Sequence, residues 1–318
     1  MDAWNVGNRK ALLIGINYYE SEERGEDTWP RLDGCLYDVK KMKSALKDIG
    51  FQVDSNHMQI LTDKKNNPEE KQPTRENIIE KMKWLVEGAE KEDSLFLHYA
   101  GHGGYKKDKE VDDDDDDHDD DGDEVDGYDE TIVPADWYEY DGQSGEITDD
   151  YMNEILVQPL PEDVRLTVIF DCCHSGTALD LPYVYNTITG SLQHQRPGKR
   201  DLEKAWRDLD LGRDDPYLKL SPEAKQKALD KTREKASEAN VVMFSACKDF
   251  QTATDRTQHN TSNLFLYALK YYLDEGSIPS TLDLVFKMQE SFDEAYDEFQ
   301  EFQVSTGKKS SIKRPFII

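Results

Sequence analysis

Cys173 and His102 are the two side chains of this chain whose types and settings could perform covalent chemistry together. Cys173 comes three residues after an apolar run that ends at Phe170, and His102 comes two residues after a similar run that ends at Ala100. A thiol attacks as its thiolate, and because its free pKa is about 8.5 it needs a base beside it. The pair therefore predicts a cysteine nucleophile with a histidine base.

The elements that must carry these two residues follow an alternating strand–helix pattern. This alternation predicts an α/β fold with a central, mostly parallel sheet flanked by helices. Ligands of such sheets bind beyond the carboxyl ends of the strands, so we expect His102 and Cys173 to share one site. The predicted strands are 10–16, 58–62, 94–100, 131–134, 165–170, 240–246 and 314–318, and the predicted helices are 33–49, 74–89, 148–157, 222–236, 262–275 and 281–299.

Composition narrows the class of protein. The 318 residues fit one domain over 1–318, and the net charge of −28 argues against nucleic acid as a partner. No apolar stretch approaches the roughly 20 residues that span a bilayer, and the N-terminus does not resemble a signal peptide. The four cysteines are few for this length and show no metal-binding spacing, and vicinal cysteines seldom form structural disulfides. We therefore expect a reducing compartment, the cytosol or the nucleus. They are Cys35, Cys172, Cys173 and Cys247.

Two polar segments interrupt the pattern. An acidic loop is predicted at 106–130, where thirteen Asp, three Glu and one Lys lie between Asp108 and Glu130. The Asp112–Asp117 run leads into Asp117–Gly122, which resembles the opening of an EF-hand loop. The twelfth position of that loop is Tyr128 instead of Glu, so a solvated insertion is the alternative to a calcium site. The second segment, a polar insertion at about 185–238, shows no strand pattern.

The ordered motifs resemble those of type I metacaspases, which are caspase-like cysteine proteases with the caspase–hemoglobinase fold. The resemblance covers nearly the whole chain, and the histidine and cysteine blocks are its most specific parts. Such proteins often carry a Pro/Gln-rich N-terminal prodomain, which we do not expect here. The matching blocks begin at Lys10, Leu32, Pro73, His98, Asp126, Asp171 and Leu179.

This resemblance implies a role for each site residue. Cys173 would be the nucleophile and His102 the general base, with the backbone N–H groups of Gly103 and Cys173 as the oxyanion hole. The family cleaves proteins and peptides after Arg or Lys, and its acidic S1 pocket matches Asp38 and Asp171. It is expected to act as a monomer, and members are linked to cell death, stress and protein quality control.

The resemblance also implies calcium activation, through carboxylates at positions that match Asp136, Asp149, Asp150 and Asp180. Calcium takes six to eight oxygen ligands, so clustered aspartates have suitable chemistry. Asp149 and Asp150 could equally be ordinary carboxylates at a helix N-terminus. Basic residues in the polar insertion are candidates for autocleavage, although an ordinary surface insertion is the alternative for any of them. These candidates are Lys225, Lys227, Lys231 and Arg233.

The chain departs from the family pattern at two positions near the predicted S1 pocket. Tyr37 stands where the family usually has Asn, and Ala100 stands where it usually has Ser. Cys172 is interpreted as a packed neighbour of the nucleophile, and His98 and His174 as structural. Two other functions stay open: a non-proteolytic caspase-fold protein that binds misfolded or aggregated chains, and an acidic calcium buffer.

Overall fold

A computed structural model describes residues 7–24, 28–107, 128–142, 144–172, 178–186, 191–194, 236–245, 261–295, 302–308 and 311–318. Its strands are β1 (Arg9–Gly15), β2 (Met58–Thr62), β3 (Ser94–Ala100), β4 (Gly103–Lys107), β5 (Tyr128–Ile132), β6 (Ile147–Thr148), β7 (Arg165–Asp171), β8 (Tyr183–Asn186), β9 (Ser191–His194), β10 (Asn240–Ser245) and β11 (Gln303–Thr306). Its helices are α1 (Tyr19–Arg24), α2 (Cys35–Asp48), α3 (Arg75–Val86), α4 (Asp149–Leu156), α5 (Thr261–Asp274) and α6 (Thr281–Ala295).

The larger sheet has eight strands in the order β2-β1-β3-β7-β10-β11-β8-β9. The five strands from β2 to β10 are parallel, and the last three add antiparallel pairs. A smaller antiparallel sheet has the order β4-β5-β6. The predicted α/β class and the mostly parallel central sheet are therefore confirmed.

The central strands are buried on both faces because helices cover each face. Alternate residues of a strand point to opposite sides, so Leu12 and Ile14 of β1 pack in one core cluster with residues of α3 and α4. Ala11 and Leu13 pack in the other cluster with residues of α2, α5 and α6. In β3, Tyr99 belongs to the first of these faces. By the same alternation His98, the residue before Tyr99, points to the second face.

Two threonines confirm the predicted helix starts. The Thr74 side chain accepts a hydrogen bond from the Asn77 N–H at the start of α3, and Thr148 accepts one from the Tyr151 N–H at the start of α4. Such N-caps satisfy donors that the helix itself leaves unpaired. The second cap matters for the site because it fixes the position of the acidic first turn of α4.

The structure corrects the prediction at the end of the sheet. Strands β8 and β9 lie at the start of the segment that was predicted to lack strands. Their positions are set by antiparallel pairing, of β8 with β11 and of β9 with β8. The predicted strand 314–318 is wrong, since Pro315 forms only an isolated bridge with Ser280 and proline lacks the N–H that a ladder needs. Its apolar pattern reflects core packing of Phe316 and Ile318.

Only parts of two other predicted segments, the acidic loop and the helix 222–236, lie within the described residues. Strands β4 and β5 take up 106–107 and 128–130 of the predicted acidic loop, and residues 108–127 lie outside the described residues. The predicted helix 222–236 lies outside them up to residue 235. Within the described part of the chain, no helix is long and apolar enough to cross a bilayer.

Candidate active site

The two segments that were predicted to share a site leave neighbouring strands at the same level. Strands β3 and β7 are parallel, and their last paired residues are Ala100 and Asp171. The Gly101 N–H donates to the Asp171 carbonyl at 3.4 Å, so the two chains remain together beyond the strands. His102 follows this contact on one side, and the buried Cys172 follows it on the other. Cys173 is the next residue along the chain and lies outside the described residues.

The His102 imidazole is held by the segment before α2 and by an aromatic side chain after β1. Its Nε2 lies 2.6 Å from the Pro30 carbonyl oxygen, and its ring centroid is 4.6 Å from that of Tyr18 and 5.3 Å from that of Trp29. A carbonyl can only accept, so in the neutral imidazole the proton is on Nε2. Nδ1 is then the nitrogen able to take a proton.

A pair of buried tyrosines holds the backbone of His102. The His102 N–H donates to Tyr18 Oη at 2.9 Å, and the His102 carbonyl accepts from Tyr99 Oη at 2.7 Å. Tyr18 Oη also donates to the Val133 carbonyl at 2.6 Å. Gly101 must be glycine here, because a Cβ would lie 2.7 Å from Tyr99 Oη and 3.0 Å from Tyr18 Oη. These contacts fix the turn that carries the predicted base.

Tyr18 also has a left-handed backbone, with φ of 56°. Such a conformation costs a residue with a side chain about 1–3 kcal/mol and persists only where the surroundings impose it. Here the buried ring contact and the hydroxyl contacts impose it. Gly103, predicted to supply an oxyanion N–H, comes directly after His102, and it is the first residue of β4 and pairs with Ile132.

The two predicted S1 carboxylates contact the same helix, with Asp38 3% exposed and the Asp171 side chain 5% exposed. Asp38 lies in the first turn of α2 and accepts from the Asn263 side-chain amide at 3.3 Å. Asp171 ends β7 and accepts from the Ser262 backbone N–H at 3.0 Å. His98, interpreted as structural, is fully buried, and its Nε2 is 3.3 Å from Asp171 Oδ2.

Sequence reasoning missed Ser262 and Asn263. They are more than ninety residues from Asp171 along the chain, and no local motif marks them. The two departures from the family pattern lie nearby: Ala100 is buried at the end of β3, and Tyr37 is 51% exposed with the Lys41 ammonium 4.6 Å from its ring centroid.

The four predicted calcium ligands lie in different settings. Asp149 is 1% exposed at the start of α4, and its Oδ2 accepts from the Glu130 N–H at 3.3 Å. Asp180 is 7% exposed, and its segment is tied to α4 by a hydrogen bond of 2.8 Å from the Asn153 amide to the Leu179 carbonyl.

Asp150 is exposed, and Asp136 lies in the segment after β5, against the start of α3. There Asp136 accepts from the Arg75 N–H at 2.8 Å, and burial raises the pKa of its carboxyl. Of the residues that the structure describes, no three His, Cys, Asp or Glu side chains lie together as a metal-ligand group. The autocleavage candidates Lys225, Lys227, Lys231 and Arg233 lie outside the described residues, as do His174 and Cys247.

Comparison with known proteins establishes the family. Residues 9–182 match the family model described as "Metacaspase, peptidase C14 domain". The chain belongs to the metacaspase family. This confirms the resemblance drawn from the histidine and cysteine blocks, and with the sheet order above it makes the fold an α/β caspase-like fold.

Curated metacaspases and a solved structure are similar to this chain. It is 46% identical over 274 residues to Metacaspase-1 of Sclerotinia sclerotiorum and 45% identical over 274 residues to Metacaspase-1 of Botryotinia fuckeliana. Each match takes in 79% of this chain but only 55% and 57% of those relatives, respectively. The crystal structure of protein GSU0716 from Geobacter sulfurreducens matches in fold alone, with a TM-score of 0.57, 20% identity, and coverage of 97% of this chain and 98% of that chain.

The buried tyrosines give a pH-dependent prediction. Burial raises the pKa of Tyr18 and Tyr99 well above the usual value of 10.0. The unfolded chain releases these protons above about pH 10 while the folded chain retains them, so the free energy of unfolding falls as pH rises further. In urea unfolding, a Tyr18→Phe/Tyr99→Phe variant is expected to lose less stability between about pH 9 and pH 11 than the wild type.

Tyr138→Phe is the matched control, since its hydroxyl contact with Glu20 is exposed. It is expected to keep the wild-type dependence on pH. An unchanged slope in the double variant would show that the tyrosine pair does not contribute to the alkaline loss of stability.

Proposed function

We propose that this metacaspase is a cysteine endopeptidase in which His102 and Cys173 form the catalytic dyad. The observation that carries this proposal is the register of β3 and β7. These strands end side by side at Ala100 and Asp171, two residues before His102 and Cys173, respectively. Family membership supports the same reaction class. The chain spans little more than half the length of the curated relatives it matches, so the activity of the whole protein is part of the proposal.

The proposed reaction uses the tautomer that the Pro30 carbonyl imposes. His102 Nδ1 takes the proton of the Cys173 thiol, and the thiolate attacks the carbonyl carbon of the scissile peptide bond. The N–H groups of Gly103 and Cys173 would stabilise the tetrahedral oxyanion. Collapse forms an acyl-enzyme thioester, while His102 gives its proton to the leaving amine. Water, deprotonated by His102, then releases the acid product.

Specificity for Arg or Lys at P1 is proposed from the two acidic groups. Asp38 lies on α2 and Asp171 at the end of β7, and both contact the start of α5. Two negative charges therefore lie beside the start of α5. A guanidinium or ammonium group is the complement of such a pair. We also propose a monomer in the cytosol or nucleus that acts on protein or peptide substrates, with roles in cell death, stress and protein quality control by family likeness.

Calcium is proposed as an activator, and the fit of the described residues to it is partial. Asp149 and Asp180 are buried carboxylates on linked segments, which is the oxygen chemistry that a hard cation prefers. Asp136 and Asp150 lie in settings that already explain them, as a contact of α3 and an exposed first-turn residue. Asp149 and Asp180 therefore carry the proposal, and calcium would supply charge balance between α4 and the segment after the nucleophile.

The dyad is tested by hydrolysis of a fluorogenic Arg-terminated peptide, with calcium or with a chelator. Wild-type protein is expected to turn over with calcium, and Cys173→Ala to lose at least about a thousandfold in kcat, because the nucleophile is removed. Cys172→Ala is the matched control, since this buried neighbour has a packing role, and it is expected to stay active. No turnover by folded wild-type protein would favour the non-proteolytic binding function.

The same samples test self-cleavage. We propose autocleavage in the polar insertion, with Lys225, Lys227, Lys231 and Arg233 as the candidate sites. Mass mapping of calcium-treated wild-type protein is expected to find cuts between residues 190 and 240 that are absent from Cys173→Ala. Intact protein after complete substrate turnover would contradict self-cleavage and leave the peptidase proposal standing.

Calcium binding is tested apart from activity, by calorimetry on Cys173→Ala. Asp149→Asn and Asp180→Asn are each expected to raise the dissociation constant at least about tenfold, because a charged oxygen ligand is lost. Asp163→Asn, at a surface ion pair with Lys91, is the control that should bind as before. Equal affinity in all variants would exclude these two aspartates as ligands.

A further inference from the structure

Two consecutive residues in the first turn of α5 contact the carboxylates proposed for S1. Ser262 contacts Asp171, and Asn263 contacts Asp38. The Ser262 N–H donates to Asp171 Oδ1 at 3.0 Å, and the Ser262 hydroxyl contacts Asp171 Oδ2. Asn263 Nδ2 donates to Asp38 Oδ1 at 3.3 Å. Ser262 is 1% exposed, so this arrangement is built into the core.

Lys41 determines which way the Asn263 amide points. Its ammonium lies 2.8 Å from Asn263 Oδ1, and an ammonium can only donate. The amide oxygen therefore faces Lys41, and the amide NH₂ group faces Asp38. Lys41 in turn lies over the ring of Tyr37, a cation–π contact of 4.6 Å. Tyr37, which departs from the family pattern, thus supports the Asp38 carboxylate through Lys41 and Asn263.

A second set of contacts determines the orientation of Asp171. The Ser262 hydroxyl lies 2.7 Å from His98 Nε2, and the same nitrogen is 3.3 Å from Asp171 Oδ2. A hydroxyl has one proton, so the arrangement that satisfies all three groups has His98 Nε2–H donating to Ser262 Oγ and Ser262 donating to Asp171. His98 is fully buried in β3. Asp171 is therefore held from the backbone and the side chain of one residue.

We propose that Ser262 and Asn263 are positioning residues that set the P1 preference of this enzyme. This inference rests on the proposed specificity for Arg and Lys. A guanidinium binds carboxylates through a planar fork, so it requires acceptors in a fixed orientation, whereas an ammonium is a compact charge that tolerates more variation. The hydrogen bonds from Ser262 and Asn263 hold the two carboxylates in a fixed orientation, which is what the fork requires. Loosening them must therefore weaken Arg recognition more than Lys recognition.

The test compares kcat/KM for paired Arg and Lys peptides in Ser262→Ala and Asn263→Ala. Each variant is expected to lose about tenfold with Arg, mainly through KM, and less with Lys. Ser262→Thr keeps the hydroxyl and should restore most of the Arg activity. Ser277→Ala, an exposed serine after α5, is the matched control and should behave as wild type. Lys41→Met leaves the buried residues intact and should lower Arg activity in the same direction.

Alkylation of Cys173 by iodoacetamide, followed by mass spectrometry, separates specificity from damage to the dyad. This uncharged reagent needs no S1 contact, so its rate should be unchanged in the α5 variants. If wild-type protein is active and the Arg-to-Lys ratio of kcat/KM is unchanged in Ser262→Ala, Asn263→Ala and Lys41→Met, the positioning role is wrong. The proposed specificity for Arg and Lys then still stands. Wild-type protein that cleaves after neither residue overturns the proposed specificity, and this inference with it.

Discussion

The parallel pairing of β3 with β7 is the constraint on which the candidate active site depends. Ala100 and Asp171 are the last residues of this pairing, and each is two positions before a residue of the proposed dyad. A slip of one residue would turn every following side chain to the other face of the sheet, so the register itself is functional. Apolar residues buried on both faces of these strands make such a slip costly. Core packing therefore fixes the register that brings the two segments of the site together.

The same alternation divides the supporting residues between two layers. Tyr99 of β3 points to the layer of α3 and α4, where the tyrosine pair holds the backbone of His102. His98, its neighbour in sequence, points the other way and meets the start of α5 beside Asp171. One short strand thereby supports the base on one face and the proposed S1 acid on the other. The strained backbone of Tyr18 is offset by the contacts that it makes with this turn.

Much of the fold and part of the site could be predicted because their signals are local. Continuous apolar runs marked the parallel strands, and threonine caps marked two helix starts. Ser262 and Asn263 could not be predicted, since their contacts with Asp171 and Asp38 join distant parts of the chain. Strand β11 was missed because its buried Ser305 and Thr306 resemble a polar loop in sequence. Its two neighbours, β10 and β8, determine this strand more than its composition does.

Activation of Cys173 by His102 can be measured through the pH dependence of Cys173 alkylation. Iodoacetamide labelling, resolved by mass spectrometry, reports the thiolate of this residue without any substrate. If His102 activates Cys173, wild-type protein shows an inflection below the free thiol value of about 8.5, and His102→Gln returns towards that value. The same profile in both proteins would show that Cys173 titrates without a partner and that His102 does not activate it.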